Sequence, residues 1–165
     1  MQIKRYCEAE STDSALLLLR EDEKISGFDG DIQAIIKTLI NRKDFKAKKG
    51  SLLRVPLVEG TLYLAGLGKS DKCNINIIRD ALTSGLRTIG RNHNKSVYVP
   101  TAHLKEYEGV SFALGEASGL CSYTFDKYKT KDKDYEPFAL DAIFTDIDDS
   151  EEFSRGKKFA EAQIY

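Results

Sequence analysis

Hydrophobic and polar positions along the chain alternate between short apolar runs and a three-to-four-residue period. Met1 to Tyr6 and Ala15 to Arg20 read as short strands. The second is a leucine run, the composition of a strand covered on both faces. Gly27, Asp29, Gly30 and Asp31 then form a breaker cluster with candidate N-caps. Ile32, Ile35, Ile36, Leu39 and Ile40 follow at i, i+3, i+4, i+7 and i+8, which lays one apolar stripe along a helix. Asn41 to Lys49 is polar and basic. Leu52 to Val58 predicts a strand that Pro56 confines to an end or an edge. Glu59-Gly60 predicts a turn and Thr61 to Ala65 another strand, so the pair predicts a hairpin.

Further on, Asn74 is a good N-cap for the longest helix. Ile75, Ile78, Leu82, Leu86 and Ile89 repeat every three or four residues, and Gly90 with Asn92 supply stop signals. Ser96 to Val99 predicts a short strand closed by Pro100. Val110, Ala113, Leu114, Ala117, Leu120 and Cys121 make a third helical stripe. A loop rich in Lys and Asp, Lys129 to Pro137, precedes a strand at Ala139 to Thr145. Asp149 and Glu152 have the spacing of a capping box, and Phe153, Gly156, Ala160 and Ile164 trace a last helical face. That pattern is still running at Tyr165, with no Gly, Asn or basic turn to close it. It suits either a frayed terminal helix or one that leads on into a longer protein. Strands interleaved with helices predict an α/β layer fold, with helices covering both faces of a largely parallel or mixed sheet.

Composition narrows the class. A chain of 165 residues with 41% apolar and 31% charged residues is ordinary for one soluble globular domain. The longest apolar run, Ala15 to Leu19, falls far short of the about 20 residues a membrane span needs, so no membrane role is expected. The first ten residues carry no apolar signal region. Cys7, Cys73 and Cys121 are odd in number and lack CxxC spacing, which fits neither a disulfide scaffold nor a zinc site and suits a reducing cytosol. A formal net charge of −1 excludes a strong global field for polyanions.

Candidate chemistry is sparse. Gly66-Leu67-Gly68-Lys69-Ser70 follows a strand and precedes a helix, the setting of a phosphate loop. The Walker pattern needs a further glycine where Tyr63 stands, and a helix starting at Asn74 comes too late for Lys69. A tight strand-to-helix connection is expected instead. His93 and His103 lack neighbours at ligand spacing. Cys121, on the third stripe, reads as a small packed hydrophobe. The basic group Arg42, Lys43, Lys46, Lys48, Lys49 and Arg54 has no interleaved aromatics for stacking bases, so a solvated loop is favoured over nucleic acid. The acidic run Asp141, Asp146, Asp148, Asp149, Glu151 and Glu152 is of a type that can hold Mg²⁺ or Ca²⁺. Its position at a helix start favours capping and solvated surface.

One segment resists periodicity: Ser122-Tyr123-Thr124-Phe125-Asp126-Lys127-Tyr128-Lys129 interleaves three aromatics with charges at a helix exit. Such crowding suggests an aromatic plug or a surface that packs on another domain. It resembles a signature of the N-terminal domain of the leucyl (cytosol) aminopeptidases, Gly-Ser-Tyr-x-Phe-Asp-x-Tyr-Lys. Ser122, Tyr123, Phe125, Asp126, Tyr128 and Lys129 match; Cys121 and Thr124 depart from the usual Gly and Arg. Glu116 matches an acidic position, and Ala117 replaces a common Gly. Gly66-Leu67-Gly68-Lys69, Asp44-Phe45-Lys46 with Lys49-Gly50, and Gly156, Ala160 and Glu161 are similar to further family stretches. The likeness runs from about residue 30 to residue 165.

The resemblance implies a three-layer macro-domain-like α/β sandwich over 1–148, a central mixed sheet with helices on both faces, with 149–165 beginning a helix that links to a separate C-terminal catalytic domain. In the family that domain holds two divalent metals, Zn or Mn, and an Asn-Thr-Asp-Ala-Glu-Gly-Arg motif that this sequence lacks. No metal, cofactor or catalytic residue is therefore expected within this chain. The implied parent is a cytoplasmic homohexamer that releases N-terminal amino acids, and this domain would serve assembly, access or regulation. Phe125 and Tyr128 are the expected interdomain surface. The alternative is a macro-type module that binds ADP-ribose or a nucleotide at the Gly66, Gly68 and Lys69 loop.

Overall fold

A computed structural model describes residues 2–5, 12–24, 30–58, 60–123, 138–146 and 149–164. Six strands form one sheet in the order β1-β6-β5-β2-β4-β3. They are β1 (Gln2–Arg5), β2 (Ser14–Arg20), β3 (Leu52–Leu57), β4 (Gly60–Gly68), β5 (Ser96–Val99) and β6 (Ala142–Thr145). Neighbours pair parallel, except that β3 runs antiparallel to β4, as the hairpin pattern predicts. Pro56 lies on β3, at the sheet edge, where a missing N–H breaks no interior ladder.

The leucine run of β2 explains the layering. Side chains alternate along a strand, so Leu16 and Leu18 enter one core and Leu17 and Leu19 the other. Leu17 and Leu19 meet Ile36 of α1 (Gly30–Asn41), together with Phe45 and Ala47 from the polar stretch that follows. The opposite face carries α2 (Ile75–Arg91) and α3 (Val110–Cys121), with Ile78, Leu82, Leu86 and Ile89 against the sheet. Burying an aliphatic side chain of this size contributes about 1.5–3 kcal/mol each, and these stripes are nearly or fully buried.

α4 (Ser150–Ile164) packs on α3. The approach is close because glycines line it. A β-carbon at Gly115 would overlap the Phe153 carbonyl, and one at Gly156 would overlap that of Phe112. One at Gly119 would stand 2.7 Å from the Ala160 Cβ. Phe112 and Phe159 meet beside this seam with ring centroids 5.8 Å apart.

Four local expectations need correction. β4 does not stop at Ala65 but runs through Gly66, Leu67 and Gly68, because their amides find partners in the segment after α1. Gly90 does not end α2; it is buried inside the helix where Phe138 leaves no room for a side chain, and Asn92 alone is the C-cap. β6 starts at Ala142, since Ala139 and Asp141 bond outside the ladder, to Gly90 and Lys95. Finally, α3 is buried on far more than one stripe, with Ala113 to Gly119 all enclosed and Leu120 half-buried, because α4 covers its outer side. At the helix starts, Asn74 accepts from Ile77 N at 3.1 Å and Asp149 from Glu152 N at 3.4 Å, as the capping patterns predict.

Candidate functional site

Open α/β sheets place ligands beyond the C-terminal ends of their strands, where the strand order reverses. Here β2 is that point, with β5 on one side and β4 on the other. Its last residue, Arg20, is the centre of a network. Arg20 donates to Glu106, to Glu23 at 3.1 Å and to the Tyr107 hydroxyl at 3.2 Å. The guanidinium lies 5.7 Å from the centroid of the Tyr107 ring. Burial works against the Arg20 charge, yet its bonds to Glu106, Glu23 and Tyr107 raise its pKa above the ordinary guanidinium value. In return, the Arg20 bond lowers the Glu106 pKa. The Tyr107 hydroxyl is pushed up, first by burial.

The neighbouring strand ends are also self-satisfied. Asp146, after β6, accepts from Thr101 N at 2.7 Å and from Ala102 N at 3.1 Å, capping the short helical turn Ala102–Leu104. His103 Nε2 lies 2.8 Å from the Leu18 carbonyl oxygen, so this nitrogen carries the proton.

The Gly66, Gly68 and Lys69 loop belongs to the same end. Gly66 N donates to Ser51 O and Gly68 N to Ala47 O, both at 2.9 Å. Gly68 has φ +78, a left-handed conformation that suits glycine. Lys69 then precedes a short helical turn, Ser70–Lys72, whose Ser70 N and Oγ both donate to Asp22, lowering that carboxyl's pKa. The Gly66, Gly68 and Ser70 amides, which a phosphate cradle could use, are thus held by two carbonyls and a carboxylate. Gly66 does line a cleft of about 290 Å³ with Lys49, Ser51 and Asp80, on the flank of the sheet.

The remaining expected positions are scattered. Ser122 and Tyr123 sit exposed at the end of α3. Phe125, Asp126, Tyr128 and Lys129 lie outside the described residues. Cys121 is buried, and burial pushes its thiol up to about 12. The basic group from Arg42 to Arg54 is exposed, as expected of a solvated loop. Among the described residues no three His, Cys, Asp or Glu side chains cluster to hold a metal ion, so they do not fit a metal pair.

Sequence reading missed a second polar feature. Arg79 and Arg87 of α2 line a groove of about 420 Å³ with Asp80, Glu116 of α3 and Gln163 of α4. Its sequence signals were two arginines eight residues apart on α2 and the acidic position Glu116, and nothing along the chain joins them.

These observations define an α/β domain with helices on both sheet faces and, among the described residues, polar strand ends tied by hydrogen bonds. A model of the cytosol aminopeptidase family, N-terminal domain, matches residues 13–132, and the chain belongs to that family. It is 33% identical over 134 residues to a probable cytosol aminopeptidase of Aquifex aeolicus, covering 78% of this chain and 27% of that protein. It is 31% identical over 183 residues to the one from Rickettsia rickettsii, covering 96% of this chain and 35% of that protein. The chain thus spans about a third or less of the length of these relatives.

Solved structures share the fold. The bottromycin maturation enzyme BotP, in complex with Mn, superposes with a TM-score of 0.66 at 16% identity, over 92% of this chain and 30% of that one. A mutant of tomato leucine aminopeptidase gives 0.67 at 16% identity, over 96% and 34%. No helix among the described residues is long and apolar enough to cross a membrane.

Proposed function

We infer that this chain is the non-catalytic N-terminal domain of a two-metal aminopeptidase. Peptide cleavage would belong to a C-terminal domain of the kind that makes its relatives about three times longer. The observation that carries this reading is the family match, which falls on the N-terminal domain while the chain covers 27% and 35% of two relatives. The two divalent ions, Zn or Mn, would bind in that other domain, where such a pair supplies Lewis-acid activation of the scissile carbonyl and of water. This chain's own residues would contribute the rigid sandwich. Residues 149–165 would run on toward the catalytic part, and Phe125 and Tyr128 would form the surface that meets it. Its role would be assembly of a cytoplasmic hexamer, or control of access to the active site.

The test is direct. The purified 165-residue chain is incubated with a leucyl anilide, with and without added Mn²⁺ or Zn²⁺. No release of the aniline is expected under any condition. Turnover that a chelator abolishes would refute the reading.

A further inference from the structure

The groove beside α2 is unevenly partnered. Arg79 Nη2 lies 3.4 Å from Asp80, and Nη1 lies 4.0 Å from Glu116. Arg87 donates from Nη2 to the Leu120 carbonyl at 3.3 Å, while its buried Nε has no acceptor among the described residues. Glu116 is only 7% exposed, and its cation at 4.0 Å is beyond hydrogen-bond length. Folded proteins leave few buried polar groups unpaired, because water is no longer there to satisfy them. Here Arg87, with one unsatisfied nitrogen, and Glu116, with no hydrogen-bond-length cation, line one groove.

We propose that this groove binds a small zwitterion, a free α-amino acid, with its carboxylate on Arg87 and its ammonium on Glu116. An α-amino acid carries both charged groups on one carbon, so a single small molecule can face Arg87 and Glu116, which line the same groove. Charge balance points the same way. Arg79 and Arg87 offset Asp80 and Glu116, so a zwitterion leaves the groove neutral. A phosphate dianion would instead be repelled by both carboxylates. The proposal rests on this chain's own side chains and does not depend on the aminopeptidase reading.

Glycine, the smallest such ligand, is the probe. It is titrated into the 165-residue chain and followed by backbone amide NMR, with acetate, methylamine and inorganic phosphate titrated separately. Saturable shifts on α2 and α3 are expected, with half-saturation at about millimolar glycine, as suits a ligand of so few atoms. Acetate and methylamine should bind at least about tenfold more weakly, since each meets one charge only. Arg87→Gln and Glu116→Gln should each weaken glycine at least about tenfold, with dispersed spectra showing an intact fold. If Arg87→Gln does not fold, Glu116→Gln, which keeps shape and removes one charge, carries the test. The proposal is overturned by absence of saturable shifts at glycine on the order of 100 mM. Phosphate binding as tight as glycine, or variants that bind glycine like the parent, would overturn it equally.

Discussion

The backbone of Gly115 on α3 stands so close to the Phe153 carbonyl on α4 that no β-carbon fits between them. Gly156 repeats the relationship from the other side, against Phe112. Two helices meeting backbone to backbone gain dispersion contacts only while both surfaces stay small. The docked position of α4 therefore depends on residues that look unremarkable in a helix pattern.

Gly115→Ala and Gly156→Ala should each destabilise the chain by about 1–3 kcal/mol, the usual cost of overpacking a filled interior. Gly30→Ala, with open space around its Cα, is the control and should be near neutral. Urea unfolding with a shared slope measures all three. Equal midpoints for Gly115→Ala and the parent would show that α4 is not docked as described.

The Arg20 network sets an acid limit. Glu106 has its pKa lowered in the folded chain by the Arg20 bond, and Asp22 by the Ser70 hydroxyl. A carboxyl whose folded pKa is depressed contributes stability above its unfolded pKa and loses it as pH falls through the folded one. The contribution is complete above the ordinary Glu and Asp values of 4.5 and 3.8 and fades below them. Arg20→Gln should flatten the Glu106 part of this dependence, while Asp22 keeps its own. Melting temperatures collected from neutral to acid pH give the readout. An unchanged acid slope in the variant would remove Arg20 as the cause.

Cys121 should resist thiol reagents. Its thiol is buried and pushed up to about 12, so little thiolate exists near neutral pH. Cys73 is half-buried and should react before Cys121. Mass-spectrometric mapping after iodoacetamide treatment should find Cys121 labelled only once denaturant has unfolded the chain. Equal labelling of both in the folded chain would contradict the packing.

Much of the fold was legible because neighbouring residues carry it. The Leu16 to Leu19 run announces a strand buried on both faces, and Asn74 announces the start of α2, since capping and side-chain alternation are local physics. The candidate sites were far less legible. Nothing in Gly66-Leu67-Gly68-Lys69 says that its amides meet Ala47 and Ser51, because those partners come from another strand connection. Arg20 reads as the polar end of a strand until Glu106 and Tyr107, more than eighty residues away, are brought to it.

By itself the sequence determined the alternation of strands and helices, the end-or-edge place of Pro56 in its strand and the likeness to the aminopeptidase family. These rest on spacing and local chemistry within a few residues. Only the tertiary structure decided which glycines must stay small, which glycine ends no helix, and that Arg79, Arg87 and Glu116 share one groove. Those facts depend on which faces meet, and a pattern along one chain segment carries no information about the surface packed against it.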